Sequence, residues 1–367
     1  MSNQKYKIAV ASLALLVSSS WAAAQSPTPA KKPVEKPTPT LAKRPEAKTP
    51  ASESSKGPEA PINANSMPTN KVSETPTALR RVDRKEMTET PSPLGGEEFL
   101  FRYKLEPGLV ISSEVTHLAK TDTKIDTTEQ NSHSRTVSQK TWEVTKVKDG
   151  TMTFEYKILE IDMSQRIGAE TEIRYNSKSG DEPEVQFKSA ADSVGRIIST
   201  VTIDEQGMII ARSDETNPPN LGMGDITLPV PKNPIAVGAT WEIPREIRIR
   251  REDGTVKTVR FRELFRLDKV SAGVATIAVR SEMLTAVSEP KEEAQVLQQL
   301  SNGTIRFDID AGRMLSKELA WDKVVVGFSG AGSIMDYSAR LEEQVKNAIV
   351  RSSDRQSASK DNSANKR

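Results

Sequence analysis

One succession of local features occurs twice in this chain, in the same order, and that repetition limits the available folds more than any other property of the sequence. Gly238-x-x-Trp241 matches Gly108-x-x-Ile111 at the start of a long hairpin. Lys269-Val270-Ser271-Ala272-Gly273 matches Lys146-Val147-Lys148-Asp149-Gly150, each ending in a tight turn. Ala275, Ile277 and Val279 then stand where Met152, Phe154 and Tyr156 stand, alternating with polar residues as a half-buried strand does. Ser288-Glu289-Pro290 opens a short helix as Asp181-Glu182-Pro183 does, with acids and proline in the first turn. Ile305 to Ile309 and Met314 to Trp321 flank the turn Asp310-Ala311-Gly312, echoing Ile197 to Ile203 and Met208 to Arg212 around Asp204 to Gly207. The pattern predicts a mainly β fold of two tandem duplicated antiparallel sheet units, each with one short helix and able to curve into a half-barrel. The units cover residues 98–216 and 235–322, and final strands over 323–343 complete the sheet.

The second hairpin is regular enough for its register to be argued. A two-residue Asp253-Gly254 turn would set Ile247 opposite Arg260 and mix apolar with charged side chains on one face. A three-residue loop with Gly254 left-handed pairs Arg251 with Thr255 and separates the faces. Trp241 then faces Phe265, Ile247 faces Val259 and Glu246 faces Arg260. One face carries Trp241, Phe261, Phe265 and, from the next strand, Ile277, which make either a core or an apolar pocket. The other carries Arg248, Arg250, Arg260, Arg262 and Arg266, relieved by Glu242 and Glu246. Five guanidinium groups on two paired strands are a candidate site for phosphate or carboxylate groups, while a solvated outer sheet face explains the same pattern.

Outside this region the composition changes. Lys5 and Lys7, an apolar run from Ile8 to Val17 and Ala22-Ala23-Ala24 have the form of a cleaved export signal over residues 1–24, too short to span a membrane. Residues 25–95 hold 13 of the 22 prolines, among Lys, Thr, Ser and Ala, and predict an extended disordered linker. A second disordered tail is expected over 346–367, with six basic and two acidic residues. The absence of Cys removes disulfides, thiolate sites and lipidation of a cysteine, so the exported protein is expected free in the periplasm or outside the cell rather than lipid-anchored. With 52 basic and 50 acidic side chains there is no overall charge to draw it to a polyanion.

Few constellations suggest chemistry. His117 and His133 are the two histidines; extending the register to the first hairpin, with Ile111 opposite Trp142, sets His133 opposite Lys120 and His117 on the other face, both exposed to solvent. Gly327-Phe328-Ser329-Gly330-Ala331 lacks the closing glycine and the strand–helix context of a nucleophile elbow. Asp308-x-Asp310 is accounted for by turn chemistry, and Gly222-Met223-Gly224 by a loop. No catalytic residue, metal site or cofactor is indicated, and arginines without interleaved aromatics give no support for nucleic acid as a partner.

The order of the strand with Gly-x-x-Trp, long hairpin, Val-x-x-Gly turn, short helix and Asp-x-x-Gly strand pair, over Phe99 to Leu341, resembles a family of exported proteins from planctomycetes and related bacteria. Leu105 to Gly108, Ile235 to Trp241 and Gly303 to Leu315 carry it; the family has no assigned activity and so implies no site residues. More loosely, the hairpins resemble the unclosed half-barrels of periplasmic lipid and lipoprotein carriers. The expectation is a non-enzymatic binding or envelope-associated protein for an apolar or anionic ligand, a cell-envelope glycan or lipid among them. A carboxylate-based hydrolase of envelope glycan and a purely structural interaction module are the alternatives.

Overall fold

A computed structural model describes residues 80–81, 87–90, 96–214 and 227–351. The export signal, most of the linker, Gly222-Met223-Gly224 and the end of the tail lie outside the described residues.

The strands in chain order are β1 (Arg80–Arg81), β2 (Thr88–Glu89), β3 (Glu98–Phe99), β4 (Leu109–Ile125), β5 (Thr128–Lys148), β6 (Thr151–Ile167), β7 (Ile173–Asn176), β8 (Ile197–Asp204), β9 (Ile209–Asp214), β10 (Ile235–Ala236), β11 (Thr240–Arg250), β12 (Val256–Ser271), β13 (Val274–Met283), β14 (Asn302–Asp308), β15 (Arg313–Val326) and β16 (Ser333–Val350). Two helices interrupt them, α1 (Lys188–Ser193) and α2 (Pro290–Val296). Fourteen strands form one antiparallel sheet in the order β1-β9-β8-β6-β5-β4-β16-β15-β14-β13-β12-β11-β2, with β7 paired to β6. The chain is thus mainly β, and its sheet is not closed into a barrel.

The sheet contains two five-strand meanders, β4-β5-β6-β8-β9 and β11-β12-β13-β14-β15, each with its helix after the third strand. They are parts of one sheet, joined by β16, which pairs β15 on one side and β4 on the other. Local chemistry sets the turns. Asp149-Gly150 and Ala272-Gly273 have positive φ at both positions, 50° and 71°, 51° and 73°, the type I′ geometry that matches strand twist. The second hairpin takes the expected bulged register: Gly254 has φ 82°, Arg251 N–H donates to Thr255 O, and Trp241, Ile247 and Glu246 face Phe265, Val259 and Arg260.

Several expectations are corrected. Asp126-Thr127 turns the chain and β5 starts at Thr128, paired with β4 from there and with β6 from Ser132. The first helix starts at Lys188 after a 3-10 turn at Val185–Phe187, leaving Asp181 to Glu184 irregular. Lys323 to Val326 continue β15 without a break after Trp321, and β16 runs to Val350, five residues into the expected tail. Within the expected linker, β1 and β2 pair with β9 and β11 at the two edges of the sheet.

Those edge pairings measure the curl. Residues 82–87 separate β1 from β2, and an extended chain of that length reaches about 25 Å. A flat path of thirteen strands would put its edges about 58 Å apart. The sheet must therefore curve back on itself. Inside the curve lie the segments 99–105 and 227–239, with Phe101, Tyr103, Leu105, Leu228, Val230 and Ile235 buried against the inner face in the main core. The Asp204–Gly207 and Asp310–Gly312 turns of the two meanders grip the first segment: Tyr103 N–H donates to Glu205 O and Lys104 N–H to Gly312 O. A methyl group on Gly207 would overlap the Tyr103 ring, and one on Gly312 would come 2.6 Å from Lys104 N. Both glycines have positive φ, so close approach and backbone conformation exclude a side chain for separate reasons.

Candidate functional site

The four apolar candidates are interior. Trp241, Phe261, Phe265 and Ile277 are all at most 2% exposed. Trp241 stacks on Phe265 with centroids 5.4 Å apart and 14° between planes, and its Nε1–H donates to Pro229 O at 2.9 Å. The buried segment thus satisfies the polar atom of the residue it covers. Ile277 joins the same cluster, whereas Phe261 belongs to a second one with Ile247, Ile249, Val259 and Val296 of α2. Burying side chains of this size contributes about 2–3 kcal/mol each, which is the contribution of a core. A small pocket of about 30 Å³ lies among Thr227, Glu263, Phe265, Val279, Ile305 and Lys317.

Between the main core and the clusters near the hairpin tips, the inner face carries charge that the sequence reading missed. Lys140 of β5 and Glu343 of β16 are both buried, with Lys140 Nζ 2.7 Å from Glu343 Oε1; Ser113 Oγ donates to the same oxygen at 3.2 Å. Lys317 of β15 stands 3.6 Å from Glu343 Oε2. Burial pushes Lys140 down from the ordinary lysine value, against the upward pull of Glu343. Burial acts to raise the Glu343 carboxyl, but Lys140 and Lys317 together hold it below the usual carboxylate range. Farther round the same face, Arg245 Nη1 lies 3.2 Å from Glu263 Oε1. Lys140 lies two residues from the buried Trp142 on the same face of β5.

The five arginines share the outer face, as the register requires, but they differ in their surroundings. Arg262 is held between carboxylates, Nη1 2.8 Å from Glu242 Oε2 and Nη2 2.6 Å from Glu282 Oε2, and hydrogen bonding to Glu282 raises its pKa. Arg266 Nε is 2.6 Å from Asp268 Oδ1. Arg250 bonds through its backbone to Gln295, and Arg260 through its backbone N–H to Thr285 Oγ1. Among the described residues no carboxylate pairs with the guanidinium of Arg250 or Arg260. Arg248 lies next to both, two residues from Arg250 and opposite Thr258.

His133 faces Lys120, as expected. His117 corrects the expectation of an exposed side chain: it stands edge-on to Trp321, centroids 6.3 Å apart, and burial pushes its pKa down to about 4. Gly327 to Ala331 form the β15–β16 turn, where Ser329 N–H donates to Ser333 Oγ. Asp308 Oδ1 accepts Ala311 N–H within its own turn.

No family model matches the chain, and no curated protein matches it. Among solved structures it is similar to lipovitellin, in a structure concerned with lipid–protein interactions, with a TM-score of 0.33 and 9% identity over 68% of this chain and 26% of that one. It is also similar to OccK8 (OprE) of Pseudomonas aeruginosa, with a TM-score of 0.17 and 7% identity over 65% of this chain and 98% of that one. The chain therefore spans about a quarter of the lipovitellin chain, and likenesses this slight carry no argument about fold or activity.

Proposed function

We propose that the chain is an exported, non-enzymatic binding protein of the cell envelope that meets anionic groups through the outer face of the β11–β12 hairpin. The observation carrying this is the imbalance on that face: Arg262 and Arg266 are matched by their own carboxylates, and among the described residues the guanidinium groups of Arg250 and Arg260 are not. Such groups suit bidentate contact with phosphate or carboxylate oxygens. The burial of Trp241, Phe261, Phe265 and Ile277 in hydrophobic clusters supports an anionic surface ligand over an apolar one at this hairpin. Residues 1–24 act as the export signal, the proline-rich linker as a tether, and the exported chain stays free of a lipid anchor in the periplasm or beyond it. The two meanders descend from one duplicated unit, supported by the matched helix positions and by Gly207 and Gly312 gripping neighbouring residues. Membership of the exported planctomycete family belongs to the same proposal.

Binding of the exported chain to anionic wall glycan and to vesicles of anionic lipid distinguishes the two sources of such groups. Arg250→Glu with Arg260→Glu is expected to weaken binding to one of them at least tenfold, more so at low salt. Wild-type protein that binds neither, or a variant that binds as tightly as wild type, defeats the proposal.

A further inference from the structure

The last strand changes its surroundings at Glu343. As far as Gln344, β16 is paired on both sides, with β15 and with β4. From Val345 to Val350 it is paired with β4 alone, after a shift of register between Val345 and Asn347. None of the residues of this arm is fully buried. Its surface ion pairs, Lys346 with Glu114 and Arg351 with Glu143, join exposed or half-exposed side chains and hold it weakly.

The side chain at this fork reaches across β4. Glu343 Oε1 lies 2.7 Å from Lys140 Nζ of β5 and accepts from Ser113 Oγ of β4 at 3.2 Å, while Oε2 lies 3.6 Å from Lys317 Nζ of β15. Among the described residues Glu343 is the one carboxylate paired with Lys140, whose side chain is 1% exposed. Tyr103 of the inner segment and Tyr156 of β6 are near enough that burial first, and the Glu343 charge after it, keep both hydroxyls protonated; Arg212 of β9 lies beside Tyr156 and acts the other way. Lys317 shares a pocket wall with Glu263, which is paired with Arg245. His117 stands on β4 opposite Leu341, two residues before Glu343.

We propose that the Lys140–Glu343 pair is an acid-operated clasp: formed, it holds the Val345–Val350 arm of β16 on β4, and protonation of Glu343 lets the arm peel away. The pair joins the strands on either side of β4, so it bridges the ladder it secures. With a neutral carboxyl, Lys140 becomes a buried cation facing no carboxylate, which costs far more than the intact pair. Opening the adjoining arm admits water to Lys140, and a strand end held along one side is the segment that opens most easily. Burial raises the Glu343 carboxyl, but the two lysines outweigh it and hold it below its ordinary value of 4.5. The clasp is therefore complete above pH 4.5 and is lost as pH falls below it. His117 titrates in a higher window, from 6.5 to about 4, and adds a cation to the same seam.

Hydrogen exchange of the full chain, read by mass spectrometry at about pH 6 and pH 3 and corrected for the intrinsic effect of pH, tests this. Peptides covering 345–350 and 109–113 are expected to lose protection at least about tenfold in acid, while β12 changes by less than about threefold. Glu343→Gln is expected to expose the arm already at pH 6, and His117→Gln to leave the acid release in place. Replacing both partners with apolar groups, Lys140→Met with Glu343→Leu, is expected to keep the arm protected at both pH values. An arm that stays protected at pH 3, or protection lost equally in β12, overturns the proposal. So does release that persists in the double replacement or disappears in His117→Gln, or an arm that stays protected at pH 6 in Glu343→Gln.

Discussion

His117 sits in the seam where β4 pairs with β16, opposite Leu341 on one side and Thr136 on the other. Its pKa of about 4 lies below the free value of 6.5, because burial disfavours the imidazolium. Between those values the unfolded chain binds a proton that the folded chain does not, so stability falls as pH drops from 6.5 toward 4, by at most about 1.4 kcal/mol per pH unit. Below about pH 4 this contribution is constant. Urea midpoints at pH 7, 5.5 and 4.5 should therefore fall more steeply for wild type than for His117→Gln, and parallel falls would show that the surroundings of His117 do not depress its pKa. The sequence placed His117 opposite the correct partner within its hairpin. It did not show that His117 is half-buried, because Trp321 and β16 arrive from about 200 residues away and no local pattern announces that pairing. Lys140 and Glu343 escaped for the same reason. Each looks like an ordinary polar residue until the two strands are placed beside a common neighbour.

Hairpins and turns were legible because they depend on residues close together: Asp-Gly and Ala-Gly turns, alternation, and the left-handed Gly254. The edges of the sheet were not. Thr240 O accepts Thr90 N–H, so the even-numbered residues of β11 point their backbone groups to the free edge. Along that edge Thr240 and Glu242 lie beside β2, Pro244 has no N–H to offer, and the Gln295 side chain of α2 both accepts from Arg250 N–H and donates to Arg250 O. Helix α2 is tied to the same hairpin by the buried carboxylate of Glu292, 2.7 Å from Lys257 Nζ and 3.1 Å from Arg251 Nε. Proline and a covering side chain are devices that stop an edge strand from recruiting another chain. Pro244→Thr combined with Gln295→Ala restores a continuous row of donors and acceptors from Pro244 to Arg250. Light scattering after gel filtration should show larger species for this double variant than for wild type at equal concentration. Unchanged size with unchanged stability would mean that these two residues do not protect the edge.

At the scale of the molecule, β16 decides whether the meanders behave as one body. It pairs β15 over Ser316 to Val326 and β4 from Leu109 to Ile125, so every contact between the meanders through the sheet passes along it. Its inward residues Met335, Tyr337, Ala339 and Leu341 form a cluster with Val115 of β4 and Trp321 and Val325 of β15, and Glu343 ties Lys140 of one meander to Lys317 of the other. Repetition in the sequence suggested two units, and two separate sheets would satisfy that repetition equally well. The continuous sheet depends on a strand that has no counterpart in either copy. If β16 unites them, the slowest-exchanging amides of β5 and β12 report the same global opening. Leu341 is fully buried, so Leu341→Ala should lower the opening free energy by about 2–5 kcal/mol. It should do so by equal amounts in β5 and β12, although Leu341 touches neither strand's ladder directly. A loss confined to one meander would show that the two halves open independently across a shared strand, and the sheet would then be continuous in its hydrogen bonding but not in its stability.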